Sequence, residues 1–258
     1  MYIYGINYKK SMHIYSKEFY EDQQSGSCIS AKEILPIVFD LIHPKSVIDV
    51  GCGVGTWLSV CQELGIDDVV GLDGPYVSEG MLKIPVTKFK KTDLSKPVSI
   101  SRKFDLAMSL EVAEHLSELD AETFVDSLVK LSPVVLFSAA IPLQGGHNHV
   151  NEQWQSYWAD KFFKKGYVVV DCIRQAVWSK DSVEWWYAQN VLLFVQKELF
   201  DSRNDIQALA RDTTHKSQLD LVHPKNYERF SDASRISLLS VILSLPKRTR
   251  QVFSGKGF

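Results

Sequence analysis

The chain has 258 residues, a formal net charge of −2 and 45% hydrophobic residues. This composition is typical of one globular domain, with enough length for an appendage. The balanced charge gives no basic footprint for a nucleic acid. We find no membrane-length apolar run and no apolar segment of a signal peptide in the first 20 residues. Four cysteines without C-x-x-C spacing indicate free thiols in a reducing compartment, so we expect a cytoplasmic protein; they are Cys28, Cys52, Cys61 and Cys172.

The first predicted helix begins at Ser30 and ends near Ile42. Ser30 is followed three residues later by Glu33, which is the spacing of a capping box. His43 and Pro44 end the apolar pattern.

A glycine-rich loop follows the first predicted strand. The run from Ser46 to Val50 is rich in β-branched residues, as in buried parallel strands, and glycine then occupies positions 51, 53 and 55. Thr56 starts the next predicted helix. A strand, a glycine loop and a helix form the nucleotide-binding corner of a doubly wound α/β sheet. The alternative is a tight turn without a ligand.

The ligand of this loop is predicted from its spacing and charge. A dinucleotide loop needs G-x-G-x-x-G, and a Walker loop needs Gly-Lys followed by Ser or Thr; this chain has neither here. Asp49 would repel a phosphate and attract a cation. S-adenosylmethionine (SAM) has no phosphate and carries a sulfonium and an ammonium. The stretch resembles motif I of the class I SAM-dependent methyltransferases.

Acidic residues follow the next two predicted strands. Asp73 ends the strand that starts at Asp68, about 20 residues after the glycine loop, where a ribose is held through its hydroxyls. The third predicted strand, residues 86–90, precedes Asp93. The resemblance implies that Asp93 accepts a hydrogen bond from the adenine and that the backbone of Leu94 contacts the ring. The alternative for both acids is a turn or cap residue.

The fourth predicted strand, residues 104–109, runs into Glu111 and resembles motif IV of the same family. The resemblance places Glu111 near the methionyl group, with His115 one helical turn later. The complete predicted cofactor-binding set is Asp49, Gly51, Cys52, Gly53, Gly55, Trp57, Asp73, Gly74, Asp93, Leu94, Ser109, Leu110 and Glu111.

The loop after the fifth predicted strand, residues 134–138, carries the candidates for catalysis. His147 and His149 lie in it beside two glycines and can act as general base for a hydroxyl or an amine. His115 and Glu111 are the reserve catalytic candidates. A metal held by the two histidines, with Glu152 or Asp171, is a weak alternative, since no further cysteine or histidine lies nearby in the sequence. We therefore predict no metal.

Aromatic and amide side chains cluster after these histidines. Aromatic faces mixed with amides and carboxylates suit a sugar or another polyhydroxylated ring. The alternative is that the tryptophans anchor the core. The predicted acceptor-binding residues are His147, His149, Asn151, Trp154, Tyr157, Trp158 and Trp185.

The resemblance covers residues 20–196 and implies a Rossmann-like seven-stranded α/β sheet in the order 3-2-1-4-5-7-6, with the last pair antiparallel. We expect a lead-in at residues 1–29 that covers the cofactor site, a SAM-binding domain at 30–199 and a mainly helical extension at 200–258. An apolar helix at residues 234–245, followed by basic residues, is expected to pack between subunits of a homo-oligomer or cap the domain; membrane docking is the alternative.

The predicted function is SAM-dependent methyl transfer to a hydroxyl or amine of a small molecule or glycan, as in a bacterial subgroup of the family. The chain lacks the Asn-Pro-Pro-Tyr and Pro-Cys motifs of nucleic-acid methyltransferases. Two alternatives are a regulatory SAM-binding protein and another SAM-dependent group transfer on the same fold.

Overall fold

The computed structural model describes the backbone of residues 17–210 and 218–231 and the side chains of residues 25–210 and 218–229. The chain divides into two units, residues 1–221 and 222–258. Within the second unit one helix is described, α9, which spans Pro224–Ser231. The apolar segment predicted at residues 234–245 lies outside the described residues.

The first unit is built on a seven-stranded sheet. The strands are β1 Ser46–Val50, β2 Asp68–Asp73, β3 Phe89–Lys91, β4 Leu106–Leu110, β5 Val134–Ser138, β6 Tyr167–Val170 and β7 Leu192–Gln196. They lie in the order β3-β2-β1-β4-β5-β7-β6. Strands β1 to β5 are parallel, and β7 pairs antiparallel with both β5 and β6. The predicted Rossmann-like sheet is confirmed.

Helices cover both faces of this sheet. In chain order they are α1 Lys17–Ile42, α2 Thr56–Glu63, α3 Ala121–Leu131, α4 Gln155–Lys164, α5 Ile173–Val177, α6 Trp185–Asn190, α7 Lys197–Ser202 and α8 Asn204–Ala210. One core cluster joins α1, α2 and α6 to the sheet, and the other joins α3 and α4 to the opposite face. Ile206 of α8 is fully buried in the first cluster, so the chain beyond β7 still packs on this core.

The structure corrects several predicted boundaries. Helix α1 begins at Lys17, so Ser30 lies inside it and is not an N-cap. Its hydroxyl donates to the Gly26 carbonyl at 2.8 Å and accepts from the Glu184 amide at 3.0 Å. A serine hydroxyl can bond back to the preceding helical turn, which the capping pattern cannot distinguish from a true helix start.

The third strand is also shorter than predicted, because Val86–Lys88 forms a 3₁₀ turn before β3 begins at Phe89.

Among the described residues, no helix is long and apolar enough to cross a membrane.

Candidate active site

The glycine loop leaves β1 at the carboxyl edge of the sheet and makes the space that a ligand needs. Gly51, Gly53 and Gly55 all have positive φ, at 90°, 54° and 84°. A Cβ added at Gly51 would meet Val112 at 2.3 Å, and one added at Gly55 would meet Ile84 at 2.9 Å. A Cβ added at Gly53 would meet no atom of the described residues within 4 Å, so this part of the structure leaves the space beside Gly53 open.

Asp73, at the end of β2, holds this loop in place. Its carboxylate accepts from the Gly53 amide and from the Gly74 amide, each at 2.6 Å, and the Tyr76 hydroxyl donates to the same oxygen as Gly74. Burial raises the pKa of Asp73, and these hydrogen bonds lower it again. Asp73 therefore connects the glycine loop to the position predicted for the ribose.

Asp49 is a buried carboxyl next to the glycine loop. It lies in β1 with 3% of its surface exposed. Burial and, to a smaller extent, the nearby Asp73 carboxylate together raise the pKa of Asp49 to about 8. A buried carboxyl of this kind ionises readily only when a positive charge approaches it.

The other predicted cofactor residues have different surroundings. The Ser109 hydroxyl donates to the Val50 carbonyl at 2.8 Å and braces β4 against β1. Trp57 is buried and packs edge to face on Tyr187, with ring centroids 5.1 Å apart. Asp93 accepts from Ser95 and pairs with Lys96 at 2.8 Å, as expected for a turn residue. Cys52, Leu94 and Leu110 are buried beside the loop and strand ends, whereas Gly74 directly follows Asp73.

Glu111 follows β4 in a strained backbone conformation, with φ of 54°. The helix expected after β4 is only a 3₁₀ turn, Ala113–His115. Amide side chains surround the Glu111 carboxylate: Gln144 donates to it at 2.9 Å and Asn190 at 3.1 Å. The side-chain amides of Gln189 and Asn190 each donate to the side-chain oxygen Oε1 of Gln144, at 3.0 and 2.9 Å. Burial raises the pKa of Glu111.

The β5 loop brings His149 to the residues that follow β4. Backbone amides of Val150 and Asn151 donate to the Glu114 carbonyl oxygen at 2.9 and 3.0 Å. The His149 and His115 rings then meet edge to face, with centroids 4.9 Å apart. Partial burial and the neighbouring His149 lower the pKa of His115. His147, two residues before His149, is exposed in the same loop.

The predicted acceptor residues divide into exposed and buried groups. Trp154 is 40% exposed, and Tyr157 and Trp185 are half-buried. Trp158 is only 1% exposed and packs on Phe137 with centroids 5.3 Å apart. This placement corrects the prediction for Trp158, because a side chain enclosed by the core cannot contact an acceptor. The sequence pattern at the start of α4 could not distinguish the exposed Trp154 and half-buried Tyr157 from the buried Trp158.

Two features of the site were not predicted from the sequence. The first is the cluster of three amide side chains near Glu111, those of Gln144, Gln189 and Asn190. These residues are far apart in the sequence and come together only where β4, the loop after β5 and α6 meet. The second is Glu114, whose carboxylate lies beside both histidines. The sequence signal available for it was the pair of acids three residues apart, Glu111 and Glu114, directly before His115.

Comparison with known proteins agrees with this geometry. The model of the methyltransferase domain family matches residues 22–190. No curated protein matches the chain. The fold is similar to that of DesVI from Streptomyces venezuelae, with 13% identity and a TM-score of 0.52 over 75% of this chain and 100% of that chain.

The fold is similar as well to the magnesium protoporphyrin IX methyltransferase ChlM from Synechocystis PCC 6803, solved with bound SAM. The identity is 17% and the TM-score 0.52, over 74% of this chain and 92% of that chain. Identities this low establish a shared fold, whereas the family match covers well over half of the chain. The chain therefore belongs to the methyltransferase domain family and is a class I SAM-dependent methyltransferase.

Proposed function

We propose that the enzyme transfers a methyl group from SAM to a hydroxyl, or an amine, of a small-molecule or glycan acceptor. The observation that carries this proposal is the pairing of His149 with His115, which joins the β5 loop to the chain segment that follows β4, and the same loop leads to exposed Trp154. This arrangement offers a polar group for the acceptor atom and an aromatic surface for the rest of the molecule.

The residues at the glycine loop fit SAM. Gly53 leaves room for a close backbone approach, Asp73 offers carboxylate oxygens to ribose hydroxyls, and buried Asp49 supplies a negative charge for a cationic ligand. When bound, SAM supplies an activated methyl group on a positively charged sulfur that is a good leaving group. The protein has to position the acceptor in line with that bond and exclude water.

In the proposed step, the acceptor oxygen or nitrogen forms a bond to the methyl carbon as the carbon–sulfur bond breaks. The bonding electrons stay on sulfur, and the acceptor loses its proton. His147 and His149 are the proposed groups for this proton, with His115 and Glu111 in reserve. The amides on Glu111 fix its carboxylate in one orientation, which favours a positioning role for it.

The acceptor is proposed to lie against the β5 loop and the start of α4. Trp154, Tyr157 and Trp185 offer partly exposed rings. Asn151, predicted with them, is only 3% exposed, and its Nδ2 lacks a hydrogen-bond partner among the described residues. Such a lining favours a polyhydroxylated ring.

Two further properties stay proposals. The cysteines described in the structure, Cys28, Cys52, Cys61 and Cys172, are all free thiols, which favours a cytoplasmic location. A homo-oligomer formed through the C-terminal extension is proposed from sequence alone.

A screen with radiolabelled SAM tests the proposed function. Nucleotide sugars, oligosaccharides and small hydroxylated or amino compounds are offered as acceptors, and label in the extracted product is counted. A product that carries one labelled methyl group supports the proposal. Transfer of a different group from SAM, or SAM binding without transfer to any compound, would favour one of the alternatives.

Asp73 is expected to contribute strongly to SAM binding. Asp73→Ala removes the oxygen acceptors for the ribose, so we expect a loss of about 1.5–3 kcal/mol, or about 10- to 150-fold in Kd. Titration calorimetry measures this loss. Asp68→Ala is the matched control, because Asp68 starts the same strand at its far end and pairs with Arg102 at 2.6 Å. Equal affinities for Asp73→Ala and the wild type would remove Asp73 from the site.

SAM affinity is expected to increase with pH up to about 8. Asp49 keeps its proton to about pH 8 in the free protein and must lose it to attract a cation. Among the groups that face it, Asp73 raises its pKa, and the buried Cys52 and Cys61 thiols stay neutral because burial raises their pKa values. We expect Kd to fall several-fold between pH 6.5 and pH 8.

Asp49→Asn provides the control for this pH dependence. It removes the titrating group, so SAM affinity should be lower at pH 8 and should vary less with pH. The free wild-type protein should also lose stability as the pH rises from about 4 to about 8, since the folded state retains a proton that the unfolded state releases. A pH profile that Asp49→Asn leaves unchanged would assign the titration to another group.

A further inference from the structure

We propose that Glu114, His115 and His149 bind a divalent first-row transition-metal ion, and that this ion takes the acceptor through a hydroxyl oxygen. The second half of this inference rests on the proposed function; the metal site itself does not.

The three side chains converge on one point. One ligand atom from each lies within 4.8 Å of the other two, and this is the one group of its kind in the part of the chain that the structure describes. His149 Nε2 lies 3.9 Å from the Glu114 carboxylate. Atoms bound to one ion at about 2.0–2.2 Å are separated by about 3–4 Å, so small side-chain movements would complete the site.

The buried Glu114 carboxylate would be stabilised by a positively charged partner. Its side chain is fully buried, and neither carboxylate oxygen makes a well-aligned hydrogen bond among the described residues; the backbone amides of Glu114 and Ala140 lie near it without such alignment. Glu111, three residues earlier, receives amide hydrogen bonds from Gln144 and Asn190. A buried carboxyl without hydrogen bonds is costly, and coordination of a metal ion would remove that cost.

Glu152 holds the His149 ring in the orientation that a metal ligand needs. Its carboxylate contacts His149 Nδ1 at 2.9 Å and accepts from the backbone amides of Leu143 and Gly145, both at 2.8 Å. A carboxylate on Nδ1 fixes the ring and leaves Nε2, the atom nearest Glu114, as the metal-binding nitrogen. A Cβ added at Gly146 would come within 2.3 Å of this Nε2, so the loop is shaped around the ring.

The ligand set selects the class of metal. Two imidazoles with one carboxylate favour Zn²⁺, Co²⁺, Fe²⁺ or Mn²⁺ over the all-oxygen sites of Ca²⁺ and Mg²⁺. Three protein ligands leave coordination positions of the ion open. His115 is exposed, so these positions would be reachable from solvent. A hydroxyl oxygen on the ion would lose its proton more easily, which favours an oxygen acceptor over a nitrogen one.

Cobalt absorption spectroscopy tests the metal site without an activity assay. The full chain is treated with a chelator, dialysed and titrated with CoCl₂, and the visible d–d bands are recorded. We expect the wild type to bind one equivalent, and ZnCl₂ to displace it. Glu114→Gln and His149→Ala should bind Co²⁺ at least about a hundredfold more weakly. Thermal unfolding shows whether each variant is folded, and partly exposed His149 gives a usable variant even where buried Glu114 does not.

Two histidine variants serve as controls. His147→Ala changes a neighbouring loop histidine outside the cluster, and His43→Asn changes an exposed histidine before β1, at the opposite edge of the sheet. Both should bind Co²⁺ as the wild type does. The proposal is overturned if the wild type binds no stoichiometric Co²⁺, or if His149→Ala binds it equally well.

The outcome for the ion and that for the proposed function can be told apart. Methyl transfer that persists in chelator, in a protein that binds no Co²⁺, would reject the ion and keep the function. Stoichiometric Co²⁺ binding without transfer to any acceptor would keep the site and reject the function. Co²⁺ bands that shift when a hydroxylated acceptor is added, and do not shift with its methylated product, would support both.

Discussion

Replacing His149 with alanine is expected to reduce turnover by about 10²–10⁴-fold and to leave SAM affinity near the wild-type value. This range is the usual contribution of a group that handles a proton in the transition state; if His149 is a metal ligand, its loss would instead act on turnover through the bound ion. His149 lies on the β5 loop and contacts Glu152 and His115, whereas the predicted SAM contacts come from the ends of β1, β2, β3 and β4. Turnover is measured on the acceptor found in the screen, and SAM affinity by calorimetry.

Companion variants separate the possible causes of that loss. Excess Co²⁺ that restores part of the turnover of His149→Ala would assign the loss to the metal ion. A comparable loss in His147→Ala, with Co²⁺ binding intact, would assign the proton to His147. If a variant that combines His147→Ala and His149→Ala turns over nearly as fast as the wild type, the base role passes to His115 or to no protein group.

Much of the fold could be predicted from local sequence patterns. The β1 strand, its glycine loop and α2 lie next to one another in the chain. Their β-branched run and glycine spacing therefore predict the strand–loop–helix corner without any long-range contact. The predicted bounds of β5 agree with the observed Val134–Ser138. The start of helix α1 was harder to predict. Ser30 fits the capping pattern, but it lies inside the helix, where its hydroxyl donates to the Gly26 carbonyl.

The acceptor side depends on contacts between distant segments, which sequence patterns describe poorly. Trp154 and Trp158 are one helical turn apart, yet one is exposed and the other lies on Phe137 in the core. The two histidines two residues apart indicated a pair, His147 with His149. The structure instead joins His149 to His115 and Glu114, since backbone hydrogen bonds tie the loop to the Glu114 carbonyl. Asp171, the other candidate carboxylate, pairs with Arg174 at 2.8 Å.

Gly53→Val is expected to weaken SAM binding by about a hundredfold or more while the domain still folds. Among the residues that the structure describes, no atom lies within 4 Å of a Cβ added there, so the new side chain would enter the space assigned to the cofactor. The positive φ of 54° adds strain, because β-branched residues rarely adopt it, at a cost of about 1–2 kcal/mol.

Gly65→Val is the matched control for this variant. Gly65 has φ of 92°, and a Cβ added there would likewise meet no described atom within 4 Å, but Gly65 follows α2, away from the carboxyl edge of the sheet. Both variants therefore introduce similar backbone strain, and only Gly53→Val places atoms at the cofactor. Thermal unfolding is expected to show similar destabilisation for the two, and calorimetry a loss of SAM binding in Gly53→Val alone. Retained binding in Gly53→Val would mean that the glycine loop does not approach the cofactor.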